Sequence, residues 1–355
     1  MADIRSLERT LAETVDWNKA RINFLAKFLM ALIQVRSVNL VEVASVFAGR
    51  AKPQSHYKRI QRFLRFFQIS YAAIALAVVS LVAVSGPWVL TLDRSDWQLG
   101  QKPLNILVLG VVYKGVAIPV LWMILDKKGN SNTRERIALL SEFISLFGGG
   151  RILYLCGDRE FIGKTWFQWL NDNQIDFRIR VRENTLIPNG RGEVVAAKRL
   201  FRQQALNQPL VIDKPRCVWG LALWVSGMRL ASGEYLIVLA PAYAEQAIAD
   251  YARRWEIETL FGCLKSRGFR LEETHITEPE RLMKLIALLA LAFCWAHVVG
   301  EWLSRQKALK MKKHGRLAKS LFRYGLDHLR RILCNLSDCS QQIAFRQVIQ
   351  LLSCT

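Results

Sequence analysis

The sequence predicts an α/β protein: a strand-rich middle with a β-rich insertion, set between helical N- and C-terminal regions. Three observations predict this. Near the start, Leu25, Phe28, Leu29 and Leu32 recur at helical spacing. From Trp88 the pattern changes to short apolar runs bounded by glycine, proline and asparagine, alternating with helical segments. After Glu278 a long apolar helical run returns and passes into a basic tail containing Lys307, Lys310, Lys312, Lys313, Arg316 and Lys319. The expected divisions are a helical region over 1–84, a first part of the core over 85–182 and the insertion over 183–241. The last part of the core over 242–302 and a helical, basic C-terminal region over 303–355 complete the chain.

With 355 residues, 52% of them hydrophobic, the chain can bury two or three cores, which excludes a disordered protein. Its formal charge of +21 points to a polyanionic partner, and nucleic acid is the simplest. Seven cysteines, odd in number and without a CxxC pair, argue against a disulfide framework or a zinc site and suggest a reducing cytoplasm. The opening Met-Ala-Asp-Ile-Arg mixes acids and bases, unlike a secretory signal. Two apolar runs, Ile69 to Val84 and Leu285 to Val299, fall short of the ~20 residues a spanning helix needs. Both are read as buried helices, so no membrane partner is expected.

Taken in order, residues 1 to about 70 read as helices, and the segment Tyr57 to Phe67 interleaves basic and apolar residues. One of its faces can pack while Lys58, Arg59 and Arg62 meet phosphates. Trp88 to Asp93, preceded by Gly86-Pro87, reads as a central strand ending in an acid. Asn105–Val112 and Val116–Leu125 form two further strands joined at a Lys114-Gly115 hairpin turn. A helix capped by Asn132 or Thr133 carries Ile137, Leu140, Phe143, Ile144 and Phe147 to a triple-glycine stop. Ile152–Cys156 is a buried strand leading into Gly157-Asp158. A helix over 161–170 and a half-exposed strand over 177–182 follow.

Three strands, helix, strand, helix, strand and a later helix is the order of a ribonuclease H-like core. In such a core the first and fourth strands are neighbours, so Asp93 and Asp158 meet at one edge. Two close carboxylates repel each other and become favourable around a divalent cation such as Mg²⁺ or Mn²⁺. Further on, Tyr251, Arg254, Glu258 and Lys265 share one helix face beside the apolar Ile257, Leu260, Phe261 and Leu264, while Glu256 points elsewhere. Alone, that face reads first as a solvated row of ion pairs. The two strand-end aspartates favour a site in which one carboxylate binds metal and its neighbours bind phosphate. In the insertion, Trp219, Trp224 and Tyr235 are candidates to stack on unpaired bases, or else to form the core of a small sheet.

The pattern Tyr-x2-Arg-x3-Glu-x6-Lys, filled by Tyr251, Arg254, Glu258 and Lys265, resembles the signature of the insertion-sequence-four family of bacterial DDE transposases. The likeness covers about residues 85 to 300. It implies that Asp93, Asp158 and Glu258 bind two divalent ions, Mg²⁺ or Mn²⁺, for DNA strand cleavage and joining. It also implies that Tyr251, Arg254 and Lys265 hold backbone phosphates of the element's end. Family members commonly excise through a hairpin with a flipped base on a tryptophan; at the matching strand this chain carries Tyr235, with Trp224 as the alternative. The resemblance further implies a homodimer on paired double-stranded DNA ends and target DNA, acting in the bacterial cytoplasm at the nucleoid. A transposase-derived DNA-binding protein without cleavage activity is the other reading.

Overall fold

A computed structural model describes residues 2–99, 102–313 and 317–352. The N-terminal flank is built of α1 (Ala2–Thr14), α2 (Lys19–Val35), α3 (Leu40–Ser45), α4 (Pro53–Phe66) and α5 (Tyr71–Val82). Asn18, Asn39 and Ser70 cap α2, α3 and α5 by accepting from N–H groups of the first turn, and a proline opens α4.

Three antiparallel strands follow, β1 (Trp88–Leu99), β2 (Lys102–Tyr113) and β3 (Val116–Ile124). Lys114 and Gly115, at φ 47° and 87°, make the tight turn between β2 and β3. Then α6 (Thr133–Phe147) opens with a reciprocal capping box of Asn132 and Glu135, and β4 (Ile152–Gly157), α7 (Lys164–Asp172) and β5 (Phe177–Val181) complete the core. The insertion supplies β6 (Leu186–Pro188) and β7 (Val194–Ala196) as a small hairpin, then β8 (Leu210–Val211), β9 (Arg216–Val218), β10 (Leu221–Arg229) and β11 (Tyr235–Ala240). The chain ends in α8 (Ala247–Ala252), α9 (Trp255–Leu264), α10 (Pro279–Gln306), α11 (Leu321–Cys334) and α12 (Cys339–Gln350).

The main sheet runs β3-β2-β1-β4-β5-β11-β10-β8, with β4 parallel to both β1 and β5. Its first five strands, with the helices around them, form a ribonuclease H-like core between helical flanks. The insertion continues that same sheet, because β11 pairs antiparallel with β5 from Ile237↔Val181 to Leu239↔Ile179.

Several expectations change in detail. The first strand does not stop at Asp93: it runs six residues further because Arg94 to Leu99 pair with β2, although its pairing with β4 ends at Leu92. The helix expected from Phe161 begins at Lys164, since Phe161 is buried in the turn before it. In the strand expected to be half-exposed over 177–182, Arg178 is buried beneath α8, where it pairs with Asp176 at 2.6 Å and Asp250 at 3.2 Å.

The 28-residue α10 is long and apolar enough to cross a membrane, yet 89% of its apolar window is buried inside the fold. It packs in one core with α2, α4, α5, α11 and α12. The crossing with α11 is close: a Cβ on Gly300 would lie 1.8 Å from Leu321 O, and one on Gly325 1.8 Å from Ala296 O. Lys307, Lys310, Lys312 and Lys313 lie between α10 and α11, Lys319 pairs with Asp327 at 2.9 Å, and Arg316 lies outside the described residues.

Candidate active site

Leu92 and Gly157 are the last residues that β1 and β4 pair with each other, and the next residue on each strand path is an aspartate, Asp93 and Asp158. Parallel pairing therefore delivers two carboxylates side by side where the ladder stops. Gly157 allows the tight exit: a Cβ there would meet Phe161 Cβ at 3.2 Å. Burial pushes the Asp93 carboxyl up to about 7; Arg254 and the Arg94 N–H oppose that shift, while Asp158 and Glu160 add to it. Asp158 Oδ1 is buried without a hydrogen-bond partner.

The Tyr251–Lys265 stretch is not one continuous helix. Arg254 N–H donates to Tyr251 O at 2.9 Å and Ile257 N–H to Arg254 O at 3.1 Å, so the chain tightens into three-residue steps between α8 and α9. This step turns Arg254 inward. Its guanidinium, 9% exposed, donates to Asp93 Oδ2 at 2.9 Å and also binds Glu258. Burial works against the Arg254 charge, but Tyr251, Glu258 and Asp93 together raise its pKa above the ordinary arginine value. Tyr251 is buried beside Val238 and Ile248, and burial raises its phenol pKa.

Lys265, the last member of the expected face, stands apart at the end of α9. It pairs with Glu272 at 2.9 Å, donates to Asp96 O at 3.3 Å and lies 5.4 Å over the Trp97 ring. Glu256 does point elsewhere, toward Arg253 at 3.9 Å and the backbone N–H groups of the Tyr113–Val116 turn.

Mg²⁺ and Mn²⁺ favour oxygen ligands, and the residues present fit such ions. Asp158 offers a buried, unpartnered carboxylate oxygen, and Asp93 beside it carries a charge that burial disfavours and a cation would compensate. Among the described residues no three potential ligands converge on one point. Arg254 stands between Asp93 and Glu258, so the third carboxylate is linked to the first through a guanidinium.

Farther out, Tyr235 lines a cavity of about 420 Å³ with Arg159, Arg180, Arg182 and Lys198. Trp224 instead packs edge-on against Tyr243, ring centres 5.0 Å apart, and Trp219 packs on Phe167 at 5.6 Å. On α4, Lys58 and Arg62 are exposed, whereas Arg59 is half-buried with its guanidinium 5.8 Å over the Phe24 ring.

Beside the acids lies a polar network that the sequence reading passed over. Arg94 forks onto Glu160, with both contacts at 3.3 Å, and Arg136 donates to Glu160 O at 2.9 Å and Ile162 O at 3.3 Å. The available signal was Arg136 itself, four residues before Leu140 on the buried face of α6.

No curated protein matches the chain. Among solved structures, the piggyBac transposase synaptic complex with hairpin DNA, determined by cryo-EM, is similar at 12% identity and a TM-score of 0.47. That similarity covers 99% of this chain and 84% of the other. The family described as "Transposase DDE domain" matches residues 87–295, more than half of the chain and all of the core with its insertion. The protein belongs to this family of DDE-domain transposases.

Proposed function

We propose that the chain is a transposase of the insertion-sequence-four group, which cuts and joins DNA strands at the ends of its element using Asp93, Asp158 and Glu258 as metal ligands. The observation that carries this reading is the placement of Asp93 and Asp158 one residue beyond the last β1–β4 pair, with Glu258 tied to Asp93 through Arg254. Two Mg²⁺ or Mn²⁺ ions held by these acids would supply the charge that activates a water or 3′-hydroxyl and stabilises the leaving oxygen.

The chain's own groups divide the remaining work. Asp93 and Asp158 present ligand oxygens from two adjacent strands, and Glu258 adds a third from α9. The Arg254 fork suits a phosphodiester as well as a carboxylate, so it can orient a DNA strand at the acids. Tyr251, packed against β11, fixes the step that aims Arg254. Lys265 marks the far end of the same strand path. Tyr235 and the arginines of its cavity suit an unpaired nucleotide, the ring taking the base and the cations its phosphate. This favours Tyr235 over Trp224 for a hairpin route of excision. Lys58 and Arg62 supply phosphate contacts from the N-terminal flank, within the proposed DNA-binding region 1–84. Two copies act together on paired ends and target DNA, in the bacterial cytoplasm.

The test uses DNA carrying the inverted repeats that flank the gene. The wild-type chain is expected to nick these ends in Mg²⁺, and Glu258→Gln to bind them normally without nicking. Normal nicking by Glu258→Gln would overturn the assignment of that residue. Binding without nicking by the wild-type chain would favour a transposase-derived DNA-binding protein.

A further inference from the structure

Asp93 and Asp158 sit on separate elements, and strand pairing fixes only the residues before them. What holds the two acidic turns at a constant separation is a second, side-chain connection. Arg94, next to Asp93, sends Nε and Nη2 to the two carboxylate oxygens of Glu160, two residues after Asp158, at 3.3 Å each. The guanidinium is 13% exposed and the carboxylate 18%, so water screens this fork poorly.

The fork is itself braced. Arg94 Nη1 donates to Asn105 Oδ1 at 3.1 Å, and Asn105, 2% exposed, donates to the carbonyls of Lys127 at 3.1 Å and Gly129 at 2.9 Å. From the other side, Arg136, 4% exposed, holds the carbonyls of Glu160 and Ile162. Both turns and the loop after β3 are thus joined through the half-buried Arg94 and the buried Arg136.

We propose that Arg94 and Glu160 are a positioning pair, whose fork sets the separation of Asp93 and Asp158 so that both address one divalent cation. The inference rests on the reading of those aspartates as metal ligands. A lysine at position 94 keeps the charge and loses the planar fork; a glutamine at 160 keeps the shape and loses the charge. Removing such support behind a ligand costs roughly 10–100-fold in metal affinity.

The experiment is Fe²⁺-directed hydroxyl-radical cutting of the full-length polypeptide, titrated with Fe²⁺. The readouts are the concentration giving half-maximal cutting near residues 93 and 158, and the thermal midpoint of each variant. Arg94→Lys and Glu160→Gln are each expected to raise that concentration by at least roughly tenfold. The double variant should be no worse than the poorer single, because both break one link. Asp93→Asn should abolish cutting at these positions. If Asp93→Asn still cuts like the wild type, the ligand reading fails. If Asp93→Asn loses cutting while Arg94→Lys and Glu160→Gln keep the wild-type titration, the positioning pair is overturned and the ligand reading stands. A fall in thermal midpoint with an unchanged Fe²⁺ titration overturns it too, since it leaves the fork a purely structural role.

Discussion

Arg254 donates to Asp93 Oδ2 at 2.9 Å, across 161 residues of sequence, and is a principal counter-charge to an aspartate that burial would otherwise keep neutral. The folded Asp93 pKa, about 7, lies above its ordinary 3.8, so ionising it costs stability progressively as pH rises between these values. Replacing Arg254 by methionine removes the compensation only where Asp93 is ionised. The deficit is therefore expected to be small at pH 5.5 and to reach about 2 kcal/mol at pH 8.5, since each pH unit above the folded pKa adds at most about 1.4 kcal/mol before the carboxyl takes up a proton instead. Urea denaturation at the two pH values measures it, and equal deficits at both would contradict the coupling.

The α4 face divides its three candidate cations. Lys58 and Arg62 point outward, so replacing either by alanine should weaken DNA binding at all sequences and reduce the slope of log affinity against log salt by about 1. Arg59 lies over Phe24, and Arg59→Ala should chiefly lower the thermal midpoint. Filter binding across a salt series and thermal melts distinguish the two outcomes.

Tyr235 and Trp224 are expected to separate in the same way. Loss of a stacked base costs about 1–3 kcal/mol, so Tyr235→Ala should slow excision from end-containing DNA roughly 5- to 150-fold while leaving the fold intact. Trp224→Ala should act on stability through its contact with Tyr243. Single-turnover cleavage and melts of both variants test the assignment.

His297 is buried on α10, and burial holds its pKa down to about 4, with Glu301 opposing and Lys114 assisting. A histidine depressed from 6.5 keeps its stabilising effect above that value and loses it as pH falls toward 4. The thermal midpoint should drop over that window, and His297→Gln should flatten the drop. Part of the slope will remain at its lower end, because Lys114 and Tyr113 hold the Glu301 carboxyl below its usual range despite its burial.

How much of this could be read from the chain depended on whether the signal was local. The Lys114-Gly115 turn, the Asn132 cap and the strand leading to Asp158 are each written within a few residues, and the structure has them where the pattern puts them. Alternation along β5 suggests a half-exposed strand, but Arg178 is covered by α8, which arrives some seventy residues later with Asp250. The extent of the first strand was missed for a similar reason: Arg94-Ser-Asp-Trp is polar enough to look like a strand end, yet the hairpin with β2 carries it on. Helical spacing grouped Arg254 with Glu258 correctly but could not show the three-residue step that turns the guanidinium onto Asp93 or sets Lys265 apart.

The pairing of β5 with β11 has a consequence for how such a chain can change. The strands on either side of the insertion are hydrogen-bonded neighbours, Val181 beside Ile237, so the polypeptide leaves the sheet and comes back at nearly the same point. Between Arg182 and Glu234 the buried Ile187, Phe201, Leu223 and Val225 share one core with Phe167 and Phe177, so that part is tied to the strands beside it. Its exposed turns can lengthen, because closing a longer loop adds only about 0.6 kcal/mol per doubling. Glu258 and the aspartates can stay in register while those turns diversify.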